Sequence, residues 1–233
     1  MKMQIKGILF DFDGTIANTI DLIIATFEHT CREVLGFTPE REKIVATFGL
    51  PLPEAMIALS GKPELVETMR DAYREYNNAH HDDMIRPIPG VKETLEQLKA
   101  QGIKLAVVTS KKPPMLRRGL DCLQLTQYFD ATVALGDTKE SKPHPEPMLA
   151  ACAKLGLQAE ECLCVGDSPF DLQSGRSAGA KTVAVAIRPL AGKSCWRRAG
   201  RILLLQDRRS CWSLWGRFVS VLIKILMKVL MSF

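Results

Sequence analysis

Short apolar runs recur along the chain at residues 5–10, 103–108, 131–135, 162–165 and 182–187. Each is apolar at successive rather than alternate positions and too short for an ordinary helix, which predicts strands buried on both faces. Between them lie helix-length segments at residues 91–101, 115–125, 145–155 and 170–178, three of which are closed by Gly102, Gly156 and Gly179. Glycine just past a periodic segment is a helix stop, because it takes the left-handed conformation that ends many helices. Strand and helix alternate, so the expected class is α/β: a parallel sheet with helices on both faces.

Residues 16–85 break this alternation. They contain no convincing strand, and their apolar spacing is helical: Ile20, Ile23, Ile24, Phe27, Cys31, Val34 and Leu35 fall on one face, and Leu65, Met69, Ala72, Tyr73 and Tyr76 on another. Gly36, Pro39, Pro51, Pro53 and Pro63 divide the block into four expected helices. The chain therefore reads as a core of residues 1–15 and 86–187, extending to about residue 207 if residues 199–207 form a final strand, with a helical insert at 16–85. His80-His81-Asp82-Asp83 reads as polar linker at the return to the core.

With 46% apolar and 24% charged residues over 233 positions, the composition is that of a folded protein with a sizeable core. The seven cysteines (Cys31, Cys122, Cys152, Cys162, Cys164, Cys195 and Cys211) include no CxxC pair and no Cys/His cluster of zinc-binding spacing. They read as thiols in a reducing cytoplasm. The first fourteen residues have only a brief apolar run before two acids, which predicts neither a signal peptide nor a membrane span.

The positive net charge of +5 resides in residues 188–233, which hold seven Arg and three Lys against one acid, together with all three Trp. Residues 218–230 (FVSVLIKILMKVL) form an expected amphipathic helix, too short to span a bilayer. Three readings stay open for this atypical basic tail: contact with a membrane surface, packing or partner contact, and a coding frame shifted near residue 188. Nothing in the chain suggests nucleic-acid binding.

Chemistry is suggested where the strands end. Asp11-Phe12-Asp13-Gly14-Thr15 follows the first strand; Thr109-Ser110 follows the second; Lys142 stands in Ser141-Lys142-Pro143-His144-Pro145; and Gly166-Asp167-Ser168-Pro169-Phe170-Asp171 ends the fourth. Each alone has a structural use: an exposed turn for the first, a helix cap for Thr109, a solvated lysine, an N-cap for Asp167 and a first-turn acid for Asp171. In an open parallel sheet, however, the ligand crevice lies outside the carboxyl ends of the strands, where all four sets fall.

In this order the four motifs resemble those of the haloacid dehalogenase superfamily, near its phosphoglycolate phosphatase, pyrophosphatase and β-phosphoglucomutase branches. The resemblance covers about residues 5–187 and implies a Rossmann-like core with an α-helical C1 cap. It also implies a Mg²⁺-dependent phosphatase acting on a small phosphorylated metabolite, phosphoglycolate first and pyrophosphate next. A phosphomutase using the same site is the alternative, as is a non-catalytic module acting through the tail. By the resemblance, Asp11 is the nucleophile and Asp13 the acid and base, Thr109, Ser110 and Lys142 hold the phosphoryl group, and Asp11, Asp13 (by its carbonyl), Asp167 and Asp171 hold Mg²⁺. Crowding by like charges would help Asp13 keep a proton. Phe48-Gly49-Leu50-Pro51-Leu52 resembles the substrate-facing cap loop, with Lys62, Arg70 or Arg74 as further anion contacts.

Overall fold

The computed structural model describes residues 5–48 and 50–185. Gly49, the end of the predicted last strand, and the tail with its Trp residues and predicted helix 218–230 lie outside the described residues. The chain divides into two compact units, one of residues up to Ala17 and from Pro87 onward, the other Asn18–Arg86.

The first unit is built on five strands: β1 (Gly7–Phe10), β4 (Lys104–Val108), β5 (Ala131–Val133), β6 (Cys162–Gly166) and β7 (Lys181–Ala184). All neighbours are parallel, in the order β5-β4-β1-β6-β7, so the first strand in sequence is central in space. Helices α5 (Val91–Ala100), α6 (Pro113–Cys122), α7 (Glu146–Leu155) and α8 (Pro169–Ser177) fill the connections. On one face Leu9, Ala106, Val108, Val133 and Cys164 pack with Met148, Ala151, Cys152 and Leu155 of α7. The alternate residues Ile8, Leu105, Val107, Leu163 and Val165 are buried as well, which is why these strands read as continuous apolar runs.

Register carries this order to the site. Phe10 of β1 is level with Val107 of β4 and with Val165 of β6, so the three strands end together. The Asp11 N–H donates to the Val165 carbonyl at 2.9 Å, and the Thr109 N–H to the Val133 carbonyl at 2.9 Å. Asp11, Thr109 and Asp167 therefore leave one edge of the sheet side by side.

The second unit contains α1 (Ile20–Leu35), α2 (Arg41–Ala46), α3 (Leu52–Ser60) and α4 (Val66–Met84). Ile24, Phe27 and Cys31 of α1 and Met69 of α4 meet in its core with Ile44, Ala55 and Met56. Two expectations need correction. A short strand, β2 (Ala17–Asn18), pairs with β3 (Arg86–Pro87) where the chain leaves and re-enters the first unit. The His80-His81-Asp82-Asp83 segment is not linker but the last turn of α4; no helix breaker interrupts residues 66–84, and the four-residue stripe from Met69 through Tyr73 and Asn77 reaches His81, which is fully buried. Among the described residues, no helix is long and apolar enough to cross a membrane.

Because Leu9 is fully buried on the central strand and packed in the α7 cluster, Leu9→Ala should lower the unfolding free energy by about 2–5 kcal/mol. Urea denaturation measures this, and a loss below about 1 kcal/mol would contradict the packing described.

Candidate active site

The strand-end loops of the first unit bring Asp11, Thr109, Lys142, Asp167 and Asp171 to one place. Lys142 is the connecting group: its ammonium donates to Asp11 Oδ1 at 2.7 Å, to Asp171 Oδ1 at 2.6 Å and to the Val108 carbonyl at 3.0 Å. All three of its donors are thus used within the protein. The lysine side chain is only 6% exposed, against 9% for Asp11 and 2% for Asp171. Burial alone would strip its charge, but the two carboxylates outweigh that and hold Lys142 protonated, above its ordinary range. Burial pushes the Asp11 carboxyl well up; the Lys142 charge opposes this, while Asp171 and Asp167 add to it. The pocket is short of positive charge.

Asp171 is held by the start of α8. Its Oδ2 accepts the Ser168 N–H at 3.0 Å and the Ser168 hydroxyl at 2.6 Å, and Ser168 Oγ in turn accepts the Asp171 N–H at 3.3 Å. This reciprocal capping box makes Ser168, not Asp167, the N-cap of α8. Asp167 is left beside the cluster: Asp11, Asp167 and Asp171 each present a carboxylate oxygen within 4.8 Å of the others.

Two glycines make room for these acids. Gly14 has φ of +80°, in the region that favours glycine, and a Cβ there would lie 2.3 Å from Asp167 Oδ2. Around it the N–H groups of Thr15, Ile16 and Ala17 converge on the Phe12 carbonyl, so the loop after β1 is fixed by its own backbone. A Cβ on Gly166 would lie 2.3 Å from that of Asp171. The oxygen-only donor set of Asp11, Asp167 and Asp171 fits a hard divalent cation, which takes carboxylates, carbonyls and waters. Both oxygens of Asp171 are on protein donors, Oδ1 on Lys142 and Oδ2 on Ser168.

Asp13 departs from the expectation of crowding by like charges. Its carboxylate is gripped by Lys111, whose ammonium is 2.9 Å from both oxygens. Lys111 is not among the residues expected from the sequence, where it stands in a Ser-Lys-Lys stretch with nothing to mark it as a partner of Asp13. The Lys111 N–H donates to Thr109 Oγ1 at 3.2 Å, its carbonyl accepts the Leu135 N–H at 2.9 Å, and its ammonium stands 5.4 Å from the centre of the Phe12 ring. Thr109 is buried and Ser110 is exposed.

The other predicted residues belong to the second unit or to the sheet interior. Leu50 and Pro51, in the second unit, are exposed and precede α3. Arg70 pairs with Glu67 one turn earlier on α4. Cys162 and Cys164 are buried in the sheet, as expected of core residues.

A parallel α/β sheet with a carboxylate after its central strand, a buried lysine and clustered acids at the same edge has the layout of a strand-end active site. The chain belongs to the haloacid dehalogenase-like hydrolase family, whose model matches residues 8–185. It is 42% identical over 183 residues to the pyrophosphatase PpaX of Halalkalibacterium halodurans, covering 78% of this chain and 84% of that protein. It is 40% identical over 184 residues to the pyrophosphatase PpaX of Anoxybacillus flavithermus, covering 79% and 85%. Among solved structures, a predicted phosphoglycolate phosphatase from Haemophilus somnus 129PT superposes with a TM-score of 0.72 at 28% identity, covering 79% of this chain and 86% of that one.

Lys142→Met tests the charge balance. Removing the ammonium leaves two buried carboxylates unpaired, which costs about 3–5 kcal/mol of stability in chelator at neutral pH. Since burial already raises the Asp11 carboxyl, the sign follows: a group raised on folding is tolerated while protonated and destabilises as pH rises through its folded value. The deficit relative to the parent should therefore shrink between about pH 7.5 and about pH 5. Equal deficits in urea unfolding at both values would contradict the assignment.

Proposed function

We propose that the chain is a Mg²⁺-dependent phosphatase that hydrolyses a small phosphorylated substrate through a phosphorylated Asp11. The observation that carries this reading is the placement of Asp11 after the central strand, 2.7 Å from the buried Lys142 ammonium and beside Asp167. A carboxylate nucleophile needs no base to ionise it in water, but facing a phosphate anion it needs compensating positive charge. Lys142 supplies one charge. A Mg²⁺ held by the side chains of Asp11 and Asp167 and the Asp13 carbonyl, with Asp171 in the outer shell, would supply the remainder and neutralise the phosphoryl oxygens.

In this mechanism an Asp11 carboxylate oxygen bonds to phosphorus as the bond from phosphorus to the leaving oxygen breaks. Asp13, in its protonated form, gives that oxygen its proton. Asp13 then takes a proton from the water that attacks phosphorus, and the Asp11 carboxylate is released with inorganic phosphate. The Thr109 hydroxyl and the Ser110 loop hold the phosphoryl oxygens, and Lys142, hydrogen-bonded to Asp11, supplies positive charge beside them.

Pyrophosphate takes first place among substrates, ahead of phosphoglycolate, because the relatives of about 40% identity named above are called pyrophosphatases. A cytoplasmic location suits a metabolite phosphatase whose Cys31, Cys152, Cys162 and Cys164 are buried thiols.

Turnover of a panel of pyrophosphate, phosphoglycolate and sugar phosphates, with and without Mg²⁺, tests the reading. Asp11→Asn should reduce phosphate release by at least about 1,000-fold, since the amide lacks the nucleophilic charge; activity within about tenfold of the parent would refute the nucleophile assignment. Asp13→Asn should depress hydrolysis of sugar phosphates more than that of 4-nitrophenyl phosphate, whose leaving group needs little help from an acid. Equal losses would refute the acid role.

A further inference from the structure

Lys111 is a second cation at the site, and the arrangement around it is more specific than an ion pair requires. Its backbone is fixed on both sides, by Thr109 Oγ1 through the N–H and by the Leu135 N–H through the carbonyl. Its ammonium stands near the buried Phe12 ring. It meets both oxygens of Asp13 at 2.9 Å, yet 19% of the side chain remains exposed. Lys142, by contrast, is committed to Asp11, Asp171 and the Val108 carbonyl. Lys111 is thus the cation with a face open to solvent on the Asp13 side of the site.

Asp13 is the group that acts on the leaving oxygen, so whatever is attached to that oxygen lies next to Asp13 during transfer. A leaving oxygen hydrogen-bonded to Asp13 at about 2.7 Å would lie within roughly 6 Å of the Lys111 ammonium. An anionic group one or two bonds beyond that oxygen falls within direct reach of Lys111, whereas a neutral leaving group gains nothing from it. We propose that Lys111 is a specificity-determining residue that pairs with a second negative group on the leaving side of the substrate, selecting substrates in which that group directly follows the scissile bond. Inorganic pyrophosphate and short phosphorylated carboxylates have this chemistry. The inference rests on the phosphatase reading above and on the role given there to Asp13.

The test uses the full chain with Mg²⁺ and compares pyrophosphate with 4-nitrophenyl phosphate, whose leaving groups are of comparable basicity but differ in charge. Lys111→Met keeps the length of the stem and removes the charge. It should lower kcat/KM at least about tenfold further for pyrophosphate than for 4-nitrophenyl phosphate, the size of a lost charge-assisted contact, with the difference mainly in KM. Lys111→Arg should restore most of that selectivity. If Lys111 only holds Asp13 in place, both substrates lose in proportion, and that result overturns the proposal. A second measurement needs no variant: methylenediphosphonate should inhibit 4-nitrophenyl phosphate hydrolysis by the unsubstituted chain at least about tenfold more tightly than methylphosphonate, and equal inhibition overturns the proposal. Turnover of 4-nitrophenyl phosphate without turnover of pyrophosphate or phosphoglycolate would overturn it while leaving the phosphatase reading intact. Turnover of none of the three would end both.

Discussion

Lys142 places a single buried ammonium between Asp11 and Asp171 while it also holds the carbonyl at the end of β4. Two carboxylates and one ammonium, all nearly sealed from water, leave a surplus of negative charge, and Asp167 beside them increases it. Buried charge is costly unless paired. The surplus therefore defines what the site can accept: a divalent cation on the oxygen donors, and through it an anionic substrate. A fully neutralised cluster would be easier to bury and would have no such affinity.

The sheet makes this arrangement possible. Asp11 and Asp167 are more than 150 residues apart in the chain, yet the in-register pairing of β1 with β6 sets them side by side where the strands end. Lys142 arrives from the connection between β5 and α7, and Asp171 from the first turn of α8, where Ser168 fixes its second oxygen. Glycine at positions 14 and 166 supplies the space, since a side chain at either would collide with an acid of the cluster. Packing, register and electrostatics thus act at the same few residues.

Much of this was legible in the sequence, for identifiable reasons. Strands buried on both faces leave uninterrupted apolar runs, so all five strands of the sheet could be placed, and acids or hydroxyls directly after such runs point to the strand-end crevice. The partner of Asp13 was not legible. Lys111 lies in a Ser-Lys-Lys stretch that reads as an ordinary solvated loop, and only the folded backbone turns one of those lysines toward Phe12 and Asp13. His81 was misread for a related reason: a polar residue on a helix stripe carries no hydrophobic signal, although α4 buries it completely. The capping role at α8 went to Ser168 because Asp167 belongs to the acid cluster, a distinction that spacing alone does not make.

The central claim is that phosphorus becomes bonded to one particular carboxylate. Rapid acid quenching of the full chain during turnover of phosphorus-labelled pyrophosphate with Mg²⁺, followed by peptide mapping, measures this directly. The account predicts acid-stable, hydroxylamine-sensitive label on Asp11. Label on any other residue, or steady product release with no labelled protein at any quench time, would contradict it.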